Sequence, residues 1–238
     1  MQNPVSQTVV FDLDGTLVDT VADIAAAFDE AISPYSSGTT CPKNAVSMMG
    51  DGLGTFFWRA VVDRRLDLPA DEAAAAFNKF IALYRRTPVL RSHTYPGIRE
   101  LLQELKDRDV RMAVCTNKVE SIALTILDQL GIRDMFDAVV GHKDDRAKKP
   151  DPAPLLEAIA LAGGRPDDAL MIGDTDADCG AAIAARVPVI LVAYGYSSVS
   201  VREFCACRHA ETVQDLRHNV MEFVTTRTRV YHKASLTF

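Results

Sequence analysis

The sequence predicts an α/β fold, a Rossmann-like parallel sheet core that carries an inserted all-helical subdomain. Three observations predict it. Apolar, β-branched-rich runs at residues 8–12, 110–116, 137–141, 169–174 and 187–193 read as buried strands. Helical patterns separate most of them, and alternating strand and helix requires a parallel sheet with helices on both faces. From about residue 19 to residue 92 there is no convincing strand, and that gap is too long for a simple crossover.

The first run, Val9-Val10-Phe11, is followed by Asp12-Leu13-Asp14-Gly15-Thr16. Residues i and i+2 of a strand share a face, so Asp12 and Asp14 are expected side by side at the strand's end. Two carboxylates that close disfavour each other's ionisation unless a cation or a shared proton relieves them. Next come two helical stretches, "TVADIAAAFDEAI" and "DEAAAAFNKFIALYRR", with "MMGDGLGTFFWRAVVDRRL" between them. The second has acids at its start and Arg85-Arg86 at its end, which matches the helix dipole. Phe56, Phe57 and Trp58 are expected in the core of this inserted piece. Ile98, Leu101, Leu102 and Leu105 recur at helical spacing within 96–109. The stretch 120–131 ends in Gly131, a good helix-ending residue. The stretch 151–164 opens with prolines and ends in glycines, the usual helical asymmetry. From about residue 217 a helix and then a poorly patterned tail are expected. The expected division is a core of 1–18 and 93–216, a helical insertion of 19–92, and a C-terminal helix and tail of 217–238.

The chain has 238 residues, 48% hydrophobic and 24% charged, with a net charge of -6. That composition fits a packed soluble globule. The acidic balance argues against a general nucleic-acid or membrane surface. The N-terminal "MQNPVSQT" has no basic start or apolar segment, so no signal peptide is expected, and no run has the length of a membrane span. Cys41, Cys115, Cys179, Cys205 and Cys207 are an odd set, and Cys205-Ala-Cys207 lacks CxxC spacing. Free thiols in a reducing cytoplasm are expected. His93, His142, His209, His218 and His232 form no ligand pattern.

Ligands of doubly wound sheets bind outside the carboxyl ends of the strands. The residues at those ends are Asp12 and Asp14; Thr116, Asn117 and Lys118; Lys148-Lys149-Pro150; and Gly173-Asp174, with Asp178 following. Clustered carboxylates suit a hard dication with oxygen ligands, and Mg²⁺ is the usual partner of phosphate. A hydroxyl and an ammonium suit phosphoryl oxygens. A calcium loop at Asp174, Asp176 and Asp178 is rejected: the glycine comes one residue late, and Ala185 stands where a bidentate Glu belongs. Asp176 reads as a helix cap or first-turn acid, and Lys148 as solvated surface.

Asp12-x-Asp14-Gly15-Thr16, Thr116, Lys149 before Pro150, and Gly173-Asp174-x-x-x-Asp178 resemble the four ordered motifs of the haloacid dehalogenase superfamily. The resemblance covers roughly residues 8 to 216. "FDLDGTLVDT", "YPGI", "TNK", "KPDPAPLL" and "YGY" resemble the wording of its phosphoglycolate phosphatase group. The resemblance implies that Asp12 attacks phosphorus, forming an aspartyl-phosphate, and that Asp14 protonates the leaving oxygen and then helps activate water. It implies Mg²⁺ on Asp12, the Asp14 carbonyl and Asp174. Thr116 would bind a phosphoryl oxygen, Lys149 would neutralise charge, and Asp178 would orient Lys149 or the metal shell. Gly15, Thr16 and Asn117 would border the phosphate. Gly50, Asp51 and Gly52 resemble a cap loop that faces the substrate; as bare chemistry they are a flexible loop before a helix. An acid at position 14 points to phosphate esters, since dehalogenases have no leaving oxygen to protonate. Arg186 stands where the group usually has glycine, which implies a different or a strained helix end. The implied partner is a small phosphorylated metabolite, 2-phosphoglycolate first. A phosphomutase of the β-phosphoglucomutase type and a non-catalytic ligand-binding relative remain open.

Overall fold

The structure, a computed structural model, describes residues 7–50, 52–196 and 208–234. Strands β1 (Thr8–Phe11), β4 (Arg111–Val119), β5 (Ala138–His142), β6 (Ala169–Gly173), β7 (Val189–Val192) and β8 (Arg208–Ala210) form one sheet in the order β5-β4-β1-β6-β7-β8. Every pairing in it is parallel. The five apolar runs are all strands. β8 was not expected, because three residues with an exposed Arg208 carry no apolar run.

The strands read as continuous apolar runs because both faces are covered. Val9 and Phe11 join one core with Met112, Val114, Ile172 and Val192. Val10 joins the opposite core with Ala113, Cys115, Met171 and Leu191. On that second face lie helices α7 (Ala153–Leu161) and α8 (Asp176–Ala185). On the first lie α5 (Ile98–Lys106), α6 (Glu120–Gln129) and the long α9 (Val213–Ala234). α9 begins before residue 217 and packs on β7 and β8. β1 sits at the centre, with β4 on one side and β6 on the other. The strand order reverses there, so the crevice at its carboxyl end is the place for a ligand.

Between β1 and β4 the chain leaves the sheet through β2 (Val18–Asp19) and returns through β3 (His93–Thr94). These two pair antiparallel, Val18 with Thr94 and Asp19 with His93. Between them are four helices: α1 (Val21–Ile32), α2 (Pro42–Met48), α3 (Leu53–Asp63) and α4 (Ala70–Arg86). They form the cap, packed around Phe28, Phe56, Phe57 and Phe80. Phe28 meets Phe57 edge-on at 5.6 Å, and Phe56 stacks on Phe80 at 6.1 Å. Trp58 departs from expectation. Successive helical residues point about 100° apart, so three in a row cannot all face inward; Trp58 is 53% exposed and only edges onto Phe57.

Arg186 ends α8 with φ 57, ψ 35, a left-handed conformation that favours glycine. The turn is still closed by Arg186 N–H to Ile183 O and Val187 N–H to Ala182 O. Of the expected helix ends, this is the strained one. Cys41 and Cys115 are free thiols; Cys205 and Cys207 lie outside the described residues.

Candidate active site

β1 ends at Phe11, so Asp12 and Asp14 both lie beyond the regular strand. They do not share a partner, and each has its own lysine. Lys149 Nζ stands 2.9 Å from Asp12 Oδ1, an ion pair without hydrogen-bond alignment that leaves this buried oxygen unbonded. Lys118 Nζ donates to both oxygens of Asp14 at 2.9 Å, and Thr20 Oγ1 donates to Oδ1 at 2.6 Å. The expected mutual repulsion is therefore relieved by two ammoniums, one for each carboxylate.

Lys149 is buried, whereas Lys148 is exposed, as read from the sequence. Its ammonium also donates to Asp178 Oδ1 at 2.6 Å and to the Cys115 carbonyl at 2.8 Å. Burial alone would lower its pKa; Asp12 and Asp178 outweigh that and raise it. Asn117 clamps the same residue: its Nδ2 donates to Lys149 O, and its Oδ1 accepts from Lys149 N, both at 2.9 Å. The Asn117 amide is thus engaged with backbone, though the residue lines the cavity.

Asp178 is the third residue of α8 and reaches back to the Thr175 N–H in a capping box. Its Oδ2 accepts from Asp174 N, Thr175 N and Thr175 Oγ1, and its Oδ1 from Lys149. Asp178 therefore orients Lys149. Asp176 lies in the first turn of α8, with its carboxylate on the Ala177 N–H.

Asp174 is fully buried. It accepts from Thr16 Oγ1 at 3.1 Å and from Tyr196 N at 2.6 Å. Gly15, at φ +82, lies so close that a Cβ there would fall 2.2 Å from Asp174 Oδ2. Gly15 and Thr16 thus build the seat of Asp174. Neither is among the cavity-lining residues.

Side-chain oxygens of Asp12, Asp174 and Asp178 lie within 4.8 Å of one another. Burial raises Asp12 to about 6, against the pull of Lys149, and raises Asp174 well above the ordinary carboxylate range, with Asp12 and Asp178 adding to it. Buried carboxylates held this way need a cation or protons. The unbonded oxygen of Asp12 and the acid-rich oxygen set fit a hard dication such as Mg²⁺. Asp178, with four donors already on it, is the poorest ligand of the three. Asp14's carboxylate is turned to Lys118 and Thr20.

Asp12, Asp14, Thr116, Asn117, Lys118, Lys149 and Thr175 line a cavity with Met49, Gly50, Gly52, Leu53 and Phe56 of the cap. Its volume is about 30 Å³, room for roughly two or three waters at about 10–15 Å³ each. The cap meets the core beside it. A Cβ on Gly50 would touch Thr175 Cγ2 at 3.5 Å, and the Tyr84 ring lies 4.8 Å from Lys118 Nζ. Asp51 lies outside the described residues. Thr116 is buried, and its Oγ1 accepts from the Lys118 N–H.

Asp14 has two partners, Lys118 and Thr20; sequence reasoning placed Lys118 at a strand's end without giving it a role, and missed Thr20. Lys118 had a signal, since it follows Thr116 by two residues on β4. Thr20 had none; only the turn after β2 brings it back to Asp14. Also unread was Tyr196, whose Oη accepts from the Thr20 and Val21 N–H groups at 2.6 and 3.1 Å and donates to Asp19.

Residues 9–192 match the family model described as "Haloacid dehalogenase-like hydrolase". The chain belongs to that family. Among curated relatives, a phosphoglycolate phosphatase of Aquifex aeolicus is 32% identical over 220 residues, 91% of this chain and all of that one. One of Rhodospirillum rubrum is 37% identical over 195 residues, covering 80% and 81%. Among solved structures, a chain of Haemophilus somnus 129pt described as "a predicted phosphoglycolate phosphatase" aligns with TM-score 0.82 at 26% identity. It covers 90% of this chain and 98% of that one.

Proposed function

We propose that this haloacid dehalogenase-like hydrolase is a Mg²⁺-dependent phosphatase that hydrolyses a small phosphate monoester through an aspartyl-phosphate, with 2-phosphoglycolate as first candidate. One observation carries the reading: a buried Asp12 carboxylate with an unbonded oxygen, lining a cavity beside Lys149 and near Asp174. The naming of the curated relatives supports the substrate.

In this reading Asp12 attacks phosphorus, which splits one hard displacement into two easier ones. Lys149 holds the attacking carboxylate and offsets charge on the phosphoryl oxygens; Asp178 holds Lys149. The Thr116 hydroxyl donates to a phosphoryl oxygen. Asp14 gives its proton to the leaving alcohol and then takes one from the water that opens the aspartyl-phosphate. Asp12, the Asp14 carbonyl and Asp174 would hold Mg²⁺, which when bound supplies electrostatic stabilisation to the phosphoryl group. The cap, taken as 19–92, excludes water during the reaction. No described helix is long and apolar enough to cross a membrane; a cytoplasmic enzyme is part of the proposal.

The test is phosphate release from a panel of small esters with Mg²⁺ and with EDTA, with Asp12→Asn as control. Metal-dependent release that the substitution abolishes is expected. Isomerisation of a hexose 1-phosphate without free phosphate would favour a mutase instead, and a folded, metal-loaded protein inert on every ester would overturn the reading.

A further inference from the structure

The cavity is lined by two buried ammoniums, and they differ in one respect. Lys149 donates to Asp178 and the Cys115 carbonyl and pairs with a second carboxylate, Asp12, without a hydrogen bond. Lys118 gives its hydrogen bonds to one carboxylate, Asp14. Lys118 thus faces a single carboxylate, and it lines the cavity beside Asp14. Its side chain is 1% exposed, and the Tyr84 ring of the cap covers it. Asp14 is the carboxylate that offsets this buried charge. Orienting Asp14 does not require it, since Thr20 Oγ1 already binds the same carboxylate at 2.6 Å.

We infer that Lys118 is the specificity residue for the leaving group, and that it binds a carboxylate carried next to the ester oxygen. The inference rests on the phosphatase reading above, with Asp14 facing the leaving oxygen. An ammonium in contact with both Asp14 oxygens is then one hydrogen bond away from the atoms beside that oxygen. In 2-phosphoglycolate a single methylene separates the ester oxygen from the carboxylate, so one end reaches Asp14 while the other reaches Lys118. Lys118 offsets the charge that such a carboxylate brings beside Asp14. Burial strengthens the contact. Asn117 is engaged with Lys149 and contributes no competing charge.

The test compares 2-phosphoglycolate with ethyl phosphate, in which a methyl replaces the carboxylate. The readout is the ratio of kcat/KM for the two esters within each protein, so any loss common to both cancels. Wild type is expected to prefer 2-phosphoglycolate by at least about tenfold, the worth of one charged hydrogen bond. Lys118→Met should bring the ratio down by about that factor, and Lys118→Arg should retain part of the preference. An unchanged ratio in Lys118→Met, with both esters slowed alike, overturns the inference and leaves Lys118 as mere support for Asp14. If Lys118→Met does not fold, the wild-type ratio still decides: Mg²⁺-dependent turnover of both esters with no preference overturns the Lys118 assignment alone. Release from neither ester by folded wild type overturns the phosphatase reading, and the inference with it.

Discussion

Asp12 and Asp14 are two residues apart, yet they answer to different lysines. The motif was legible in the sequence as two carboxylates that needed a cation; which cation served which carboxylate was not. Lys118 arrives on β4, which pairs with β1, and Lys149 on the segment that follows β5, which pairs with β4. The seat of Asp174 is equally three-dimensional, because Gly15 and Asp174 are far apart in sequence. Gly15→Ala would place a Cβ 2.2 Å from Asp174 Oδ2 at a φ that alanine resists. Mg²⁺ affinity measured by titration calorimetry should fall at least about tenfold, the range seen when a ligand's supporting contacts are lost.

At the scale of elements, the strands were legible because a sheet covered on both faces needs unbroken apolar runs. β2, β3 and β8 were not, because two or three residues carry no period. Arg186 shows how an isolated departure from glycine can be read: the helix ends in the same place and bears the strain. Arg186→Gly should stabilise the protein by about 1 kcal/mol, the cost of a left-handed non-glycine residue less the extra entropy of an unfolded glycine. A higher urea midpoint with an unchanged slope would report it. Tyr196 acts at the other end of a helix. Its hydroxyl accepts two N–H groups at the start of α1, at the base of the cap. Tyr196→Phe strands both, and should cost about 1–3 kcal/mol in the same unfolding measurement.

Across the whole molecule, four carboxylates and two ammoniums converge on the end of β1: Asp12, Asp14, Asp174 and Asp178 with Lys118 and Lys149. The count leaves an acidic excess that a dication offsets. Mg²⁺ should therefore raise the melting temperature of wild type in a concentration-dependent way, by mass action. Asp174→Asn should lose that response, yet in EDTA be no less stable than wild type, since it removes a buried charge. The cap's place in the chain was legible as a gap without strands, whereas its contact with the core beside the cavity was not, because that depends on Gly50, Phe56 and Tyr84 meeting residues of the core. The central claim is that Asp12 takes the phosphoryl group. It is tested most directly by mixing the enzyme with 2-phosphoglycolate and Mg²⁺, quenching during turnover, reducing with borohydride and sequencing by mass spectrometry. Homoserine at position 12, absent without substrate and absent in Asp12→Asn, is the expected result. Phosphate release with position 12 still aspartate, or sustained by Asp12→Asn, would contradict it.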